Sequence, residues 1–348
     1  MKISPVILTI TLLLYTLMSP APMAEANETI TLMSHDSFSI SKKTIELFEN
    51  ENNATIRFLK AGDAGAALIQ AILSKKNPLA DVFFGVDNSF MSRALKADIF
   101  VPYNSPRLAD IPEYLKLDKQ NRLLPVDYGD VCLNYDKAWF KEHKLTPPQN
   151  LADLAKPEYK SLTIVENPAT SSPGMAFLLA TISRFGEDGY LDFWAKLRAN
   201  DVLVASGWED AYYGHFTSAS KGNRPIVVSY GSSPAAVVYY SKTPVTTAPT
   251  GAVVSDGSAF RQVEFVGILK GSKKRQLAEK LVDFMLGTTF QEDIPLQMFV
   301  FPSNEKARLP DVFTRHAAVA EKPANVAPAA IEKNRNAWLE AWTDTVLR

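Results

Sequence analysis

The stretch P-V-D-Y-G-D-V-C-L-N-Y-D-K, residues Pro125–Lys137, decides the fold by its length. It is long for a single strand and carries Gly129 in its middle. A strand that passes from one lobe to another has this length, and the glycine permits a bend. A second long strand, Q-V-E-F-V-G-I-L-K at Gln262–Lys270, ends in G-S-K-K before an amphipathic helix. Two chain crossings between α/β lobes enclose a cleft, where a small molecule binds at the carboxyl ends of strands.

Outward from these crossings, short apolar strands alternate with amphipathic helices. Strands are expected over 28–34, 54–60, 81–86, 123–134, 161–165, 225–230 and 263–269. Helices are expected near 39–50, 63–75, 88–96, 173–185, 187–199, 207–219, 273–286 and 328–347. This alternation predicts an α/β protein of mostly parallel sheets covered by helices on both faces. We expect 27–127 with 262–308 to form an N-terminal lobe, and 128–261 with 309–348 a C-terminal one. The Ala-Pro-rich segment 318–330 is expected to be a short surface connection. Trp338, Trp342 and Val346 recur at four-residue spacing, one face of the last helix, and are assigned to the core.

The first 26 residues are set apart from the fold. Met1-Lys2 is a short basic start, Val6–Met18 is nearly unbroken apolar sequence, and Ala24-Glu25-Ala26 is an A-x-A cleavage site. That is a secretory signal peptide, and the run is too short for the ~20 residues that span a bilayer. Cleavage near Ala26 leaves a periplasmic chain; a retained N-terminal anchor is the alternative.

Formal net charge is −1, with neither a basic stripe for nucleic acid nor a cationic amphipathic helix for membranes. The single cysteine, Cys132, sits between Val131 and Leu133 and reads as a buried strand residue.

Catalytic signatures are sparse. The four histidines, His35, His143, His215 and His316, show no metal-ligand spacing, and neither a G-x-S-x-G elbow nor a Walker loop occurs. In A-G-D-A-G-A-A (Ala61–Ala67) Asp63 stands at a helix N-cap position, from which it can also face the cleft. In N-P-A-T-S-S-P-G-M-A-F-L (Asn167–Leu178) two serines precede proline and an apolar helical run. Such a helix start caps itself, and its free N–H groups also make an anion seat.

Aromatic residues gather in the expected cleft segments. Trp208 stands beside a helix start with Tyr212 one turn on, Tyr230 ends a strand before a second Ser-Ser-Pro start, and Phe299 and Phe301 lie in M-F-V-F-P. Aromatic faces with carboxylates and helix N-termini suit a flat cation bearing a hydroxyl or phosphate. Cation–π contacts of ~0.5–2 kcal/mol and charge-assisted hydrogen bonds of ~1.5–3 kcal/mol can together reach the roughly −8 kcal/mol of micromolar binding.

The ordered set S-H-D-S-F (Ser34–Phe38), A-D-V-F-F-G-V-D-N-S (Ala80–Ser89), P-V-D-Y-G-D-V-C-L-N-Y-D-K, N-P-A-T-S-S-P-G, S-G-W-E-D-A-Y and S-Y-G-S-S-P-A resembles the thiamine-binding proteins of bacterial ABC importers. The likeness runs from about Glu28 to Arg348. It implies a type II periplasmic binding protein fold, with the ligand cleft between two lobes. Thiamine, its monophosphate or its diphosphate is the implied ligand, and a membrane permease the implied partner. No cofactor and no catalysis are expected, and the protein is expected to be a monomer. By the same resemblance Ser171 holds the hydroxyethyl or phosphate end, Asp63 contacts that end, and Trp208 and Tyr230 line the ring site. His35, Asp36, Tyr128, Ser172, Tyr212 and Phe299 complete the expected ligand-binding set. The chain departs from the family in having His35 and Ala236 where tyrosines stand, and Phe299 where a tryptophan stands. His35 is then a candidate hydrogen-bond donor to a phosphate.

Two other readings compete. A ferric-iron transport protein of the same fold uses a tandem tyrosine pair, and Tyr239-Tyr240 and Tyr212-Tyr213 are such pairs. A periplasmic hydrolase needs a nucleophile–base pair or a metal, which no spacing supplies.

Overall fold

A computed structural model describes residues 27–348; the signal-peptide expectation for residues 1–26 lies outside the described residues. The chain begins with β1 (Glu28–Ser34), α1 (Lys42–Asn52), β2 (Ala54–Lys60), α2 (Ala64–Leu73), β3 (Val82–Asp87), α3 (Met91–Lys96) and the short β4 (Phe100–Val101). β5 (Leu124–Asp136) follows, with α4 (Lys137–Glu142), β6 (Thr163–Glu166), α5 (Ser172–Ala199), β7 (Leu203–Ala205), β8 (Ile226–Tyr230), α6 (Ser233–Tyr239) and β9 (Thr250–Val253). The remainder is β10 (Phe260–Leu269), α7 (Arg275–Leu286), α8 (Thr288–Gln297), β11 (Phe301–Pro302), α9 (Asp311–His316) and α10 (Pro328–Val346).

β1 runs between β2 and β3 and is parallel to both; its residues from Ile30 onward are buried. An unbroken buried run is what a central parallel strand covered on both faces requires. At the other end β6 is parallel to β7 and β8. Between these parallel ends lie β10 and β5, antiparallel to each other and to their outer neighbours β3 and β8. β5 pairs with β10 through residues 124–131 and with β8 through 131–135, so one strand serves both halves. The hydrogen-bonded path is therefore continuous, β2-β1-β3-β10-β5-β8-β6-β7. The expectation of mostly parallel sheets holds at the two ends and fails at the crossings. A strand that carries the chain back between the halves runs against its neighbours.

Gly129 sits within β5, where a Cβ would stand 2.9 Å from the Tyr230 ring. Its hydrogen atom makes room for that ring rather than a bend. Both pairings of β10 shift register beside Phe265, opposite Gly85 on β3 and Val126 on β5. Gly85 has φ +103°, a left-handed conformation that glycine adopts without strain. Bulges of this kind re-aim side chains and recur beside functional sites.

The two helices expected at 173–185 and 187–199 are the two halves of α5, divided as expected at Gly186, whose φ of 74° and ψ of 170° are non-helical. The helix expected at 207–219 is a single π-helical stretch, Asp210–His215. Cys132 is fully buried on β5, and burial raises its thiol pKa. Trp338, Trp342 and Val346 are buried, and Trp342 meets Trp194 of α5 edge-on at 5.5 Å. Full burial of such a side chain contributes roughly 2–3 kcal/mol. α10 also reaches α3, with Arg335 over the Phe90 ring at 4.4 Å.

The segment 318–330 is no loose surface connection. Ala320 donates its N–H to Asp130 at 2.7 Å, and Ala324 donates to the Ala259 carbonyl at 2.6 Å. Asp130 in turn receives Nε and Nη2 of Arg261, both at 2.8 Å. Alanine-rich composition reads as a loop, but small side chains also let a backbone lie flat against β5 and β10.

Candidate functional site

A cleft of about 300 Å³ opens where β1, β2 and β8 end beside the middle of β10, near the starts of α5 and α6. Eight of the ten sequence-predicted residues line it: His35, Asp36, Asp63, Ser172, Trp208, Tyr212, Tyr230 and Phe299. Their grouping follows from the parallel strands, whose carboxyl-terminal loops converge on one edge.

Asp63 is the most heavily bonded of them. Its Oδ1 accepts from the N–H of Ala64 at 2.7 Å and of Ser172 at 3.3 Å, and its Oδ2 from the N–H of Trp208 at 3.0 Å. The first contact is the predicted N-cap of α2. The other two cross to the start of α5 and to Trp208, just before the π-helical stretch. Burial raises the carboxyl pKa, while the three backbone donors pull it back. Close by, the Gly65 N–H donates to the Thr170 carbonyl at 3.1 Å, and a Cβ on Gly65 would stand 2.7 Å from that oxygen. Only glycine lets the α2 start approach the turn before α5 this closely.

Ser171 and Tyr128 are not in the cleft. Ser171 is 0 % exposed; its Oγ accepts from the Gly174 N–H and bonds to Asp63. An N-cap residue turns its oxygen back over its own helix, which takes Ser171 off the cleft surface. Ser172 is the serine that faces the cleft. Tyr128 stacks on Phe301 at 5.4 Å, with Arg261 5.7 Å from its ring centre. Successive strand residues point to opposite faces, so it is the neighbouring Asp127 that lies on the side of the acidic cleft floor. We expect Ser171→Ala to cost about 1 kcal/mol, read as a melting point lower by about 2–4 °C. Any change in ligand affinity should be equal for ligands with and without a phosphate.

The aromatic wall is built on both sides. Trp208 donates Nε1 to Ser229 Oγ at 2.9 Å and stacks on Tyr212 at 5.1 Å. Tyr230 donates its hydroxyl to Gln262 Oε1 at 2.8 Å. Phe299 holds φ at 55°, unusual for an aromatic residue, and is fixed by Phe313 stacked at 5.8 Å and by Ser232, whose hydroxyl donates to its carbonyl. Sequence reading missed Tyr240, which lines the cleft with its ring 5.4 Å from Phe299. It lies one helical turn after Ala236, which also lines the cleft, so the two face the same side. Tyr213, edge-on to Trp208 at 5.5 Å, was likewise missed.

The floor is acidic. Glu264, also missed, lines the cleft at 5 % exposure, with Oε1 3.4 Å from His35 Nε2. Burial first, then Lys60, lowers the His35 pKa to about 4, so the imidazole is neutral. Its ring occupies space left by Gly85, where a Cβ would lie 2.5 Å from Cδ2. Burial, with Asp127 and Asp87 adding to it, pushes Glu264 well above the carboxylate range. Asp36 is occupied structurally, its Oδ1 accepting from the Gly62 N–H at 2.9 Å.

Residues 77–319 match the family described as bacterial extracellular solute-binding protein. The chain is 32% identical over 340 residues to the thiamine-binding periplasmic protein of Salmonella typhimurium, covering 95% of this chain and 97% of that protein. It is 29% identical over 339 residues to the thiamine-binding periplasmic protein of Brucella suis, covering 96% of each. Among solved structures it is similar to a periplasmic thiamin binding protein, with TM-score 0.82 and 27% identity over 94% of this chain and 98% of that one.

Proposed function

We propose a ligand and a mode of capture from one premise: the chain belongs to the bacterial extracellular solute-binding protein family. It is a type II periplasmic binding protein, and we read it as the thiamine-capturing component of an ABC importer. The observation that carries this reading is the composition of the cleft. Rings of Trp208, Tyr212, Tyr230, Tyr240 and Phe299 surround an acidic floor, complementary to a flat aromatic cation. Relatives named for thiamine binding, matched along nearly their whole length, support the same ligand. The role is capture and delivery to a membrane permease in the periplasm, not turnover.

Capture proceeds by closure of the lobes delimited above, with β5 and β10 as the hinge strands. Asp63 acts as a clasp between the α2 side and the α5 side. Because its carboxylate already occupies N–H groups of the anion seat, unesterified thiamine is expected to bind at least as tightly as either phosphate ester.

The test is a tryptophan-fluorescence titration of residues 27–348, stripped of ligand by unfolding and refolding. Thiamine, its two phosphates and ferric citrate are the titrants. Saturable quenching by thiamine below about 1 µM, near −8 kcal/mol or better, is expected. Visible colour with ferric citrate and silence with every thiamine form would move the assignment to iron, through Tyr239-Tyr240 or Tyr212-Tyr213.

A further inference from the structure

Glu264, Asp127 and Asp87 are register partners on three adjacent strands, Glu264 facing Asp127 on β5 and Asp87 on β3. Asp87 is well supplied, accepting from Ser89 Oγ, the Phe90 N–H and Gln262 Nε2. Asp127 is not. It is 0 % exposed and neither oxygen has a fixed donor; the group beside it is the Glu264 carboxyl, and the two can bond to each other only while one of them is protonated. Toward the cleft stands His35, 8 % exposed, with Nε2 likewise unpartnered although 3.4 Å from Glu264. A neutral imidazole, an unpartnered carboxylate and a cleft-lining carboxyl thus meet at one point of the floor.

We propose that Glu264, backed by Asp127, is the cleft's proton-exchanging counter-charge, which takes a ligand's positive ring by releasing the proton the two carboxyls share. This rests on the reading that the ligand is cationic, and it assigns both the charge selectivity and a proton linkage to one residue. The proton passes to solvent, and no covalent bond other than that O–H is broken.

The groups facing Glu264 fix the sign. His35 at the end of β1 is neutral, and Asp87, Asp127, Asp63 and Tyr230 bring negative or neutral groups from β3, β5, the α2 start and β8. Of the nearby cations, Lys60 lines the cleft beside His35 with its Nζ donating to the Asp36 carbonyl at 2.7 Å, and Arg335 acts on Asp87. Burial beside other carboxyls holds the free protein's Glu264–Asp127 pair protonated at neutral pH, and an adjacent cation favours its ionised form. Proton release on binding makes affinity rise with pH, by up to about tenfold per unit, until the free pair itself ionises.

The experiment compares thiamine with its neutral isostere, in which a thiophene replaces the thiazolium ring, on wild type and Glu264→Gln. Calorimetry in two buffers of different ionisation enthalpy counts protons. Expected for wild type are about one proton released per thiamine, none per isostere, and thiamine affinity rising between about pH 6 and 8. Glu264→Gln should weaken thiamine about tenfold, leave the isostere within about twofold, and abolish the pH slope. Equal, pH-independent binding of both ligands to wild type overturns the proposal and leaves the thiamine reading standing. Binding of neither ligand removes both. Should Glu264→Gln fail to fold, the wild-type proton count and the isostere comparison still decide.

Discussion

Asp63→Ala loses about 30- to 100-fold in thiamine affinity, while the ligand-free protein melts within a few degrees of wild type. Hydrogen bonds to a charged group contribute roughly 1.5–3 kcal/mol each, and two of the three that Asp63 accepts, from Ser172 and Trp208, cross the cleft. Water replaces part of that loss, which brings it below the smaller end of the sum, to about 2–2.7 kcal/mol. The third bond, from Ala64, caps α2 and accounts for the modest stability cost of about 1 kcal/mol. A clasp acts by setting the population of the closed state, and affinity falls in proportion to that population. Thiamine and its phosphates should therefore lose affinity by the same factor, and scattering should report a more open empty protein. A loss confined to phosphate esters would return Asp63 to a direct ligand contact.

Trp208→Ala is expected to weaken thiamine more than tenfold. The side chain is half-buried, stacked on Tyr212 and anchored by Nε1 to Ser229, so its ring is held in one orientation before ligand arrives. An aromatic contact to a desolvated cation contributes up to ~2 kcal/mol, and loss of the rigid wall adds to it. Partial burial limits the stability cost to ~1–2 kcal/mol, a shift of a few degrees. Trp139→Ala is the control: that ring stacks on His143 at 3.8 Å, outside the cleft lining, and its removal should leave affinity unchanged. Equal affinity in the Trp208 variant would remove this residue from the ligand site.

How much of this was legible in the sequence depends on the range of the interaction. The bounds of β1 and β2 and the tryptophan stripe of α10 follow from local pattern and were read correctly. β4 and β11 are two-residue strands that exist only because a neighbouring strand offers free backbone groups, and no local pattern marks them. The crossings were legible from their length, but not the antiparallel direction of β10 and β5. At the site, parity misled once: Tyr128 was named where its neighbour Asp127 lies on the cleft side. The Ser-Ser-Pro start is a helix start as expected, but local pattern did not show that Ser171 caps the helix while Ser172 lines the cleft. Glu264 was beyond reach, since its importance arises from lying opposite Asp127 and Asp87, partners far away in the chain. Tyr240 was seen only as half of a tyrosine pair. Its place in the cleft follows from helical register after Ala236.

The measurement that bears most directly on this account is a crystal structure of residues 27–348 with thiamine. The account predicts closed lobes, an aromatic ring of the ligand stacked against Trp208 or Tyr230, and the thiazolium nitrogen within about 4–6 Å of the Glu264 carboxyl. Thiamine bound outside the cleft, or inside it with the thiazolium turned away from Glu264 and the Asp63 clasp unmade, would contradict it.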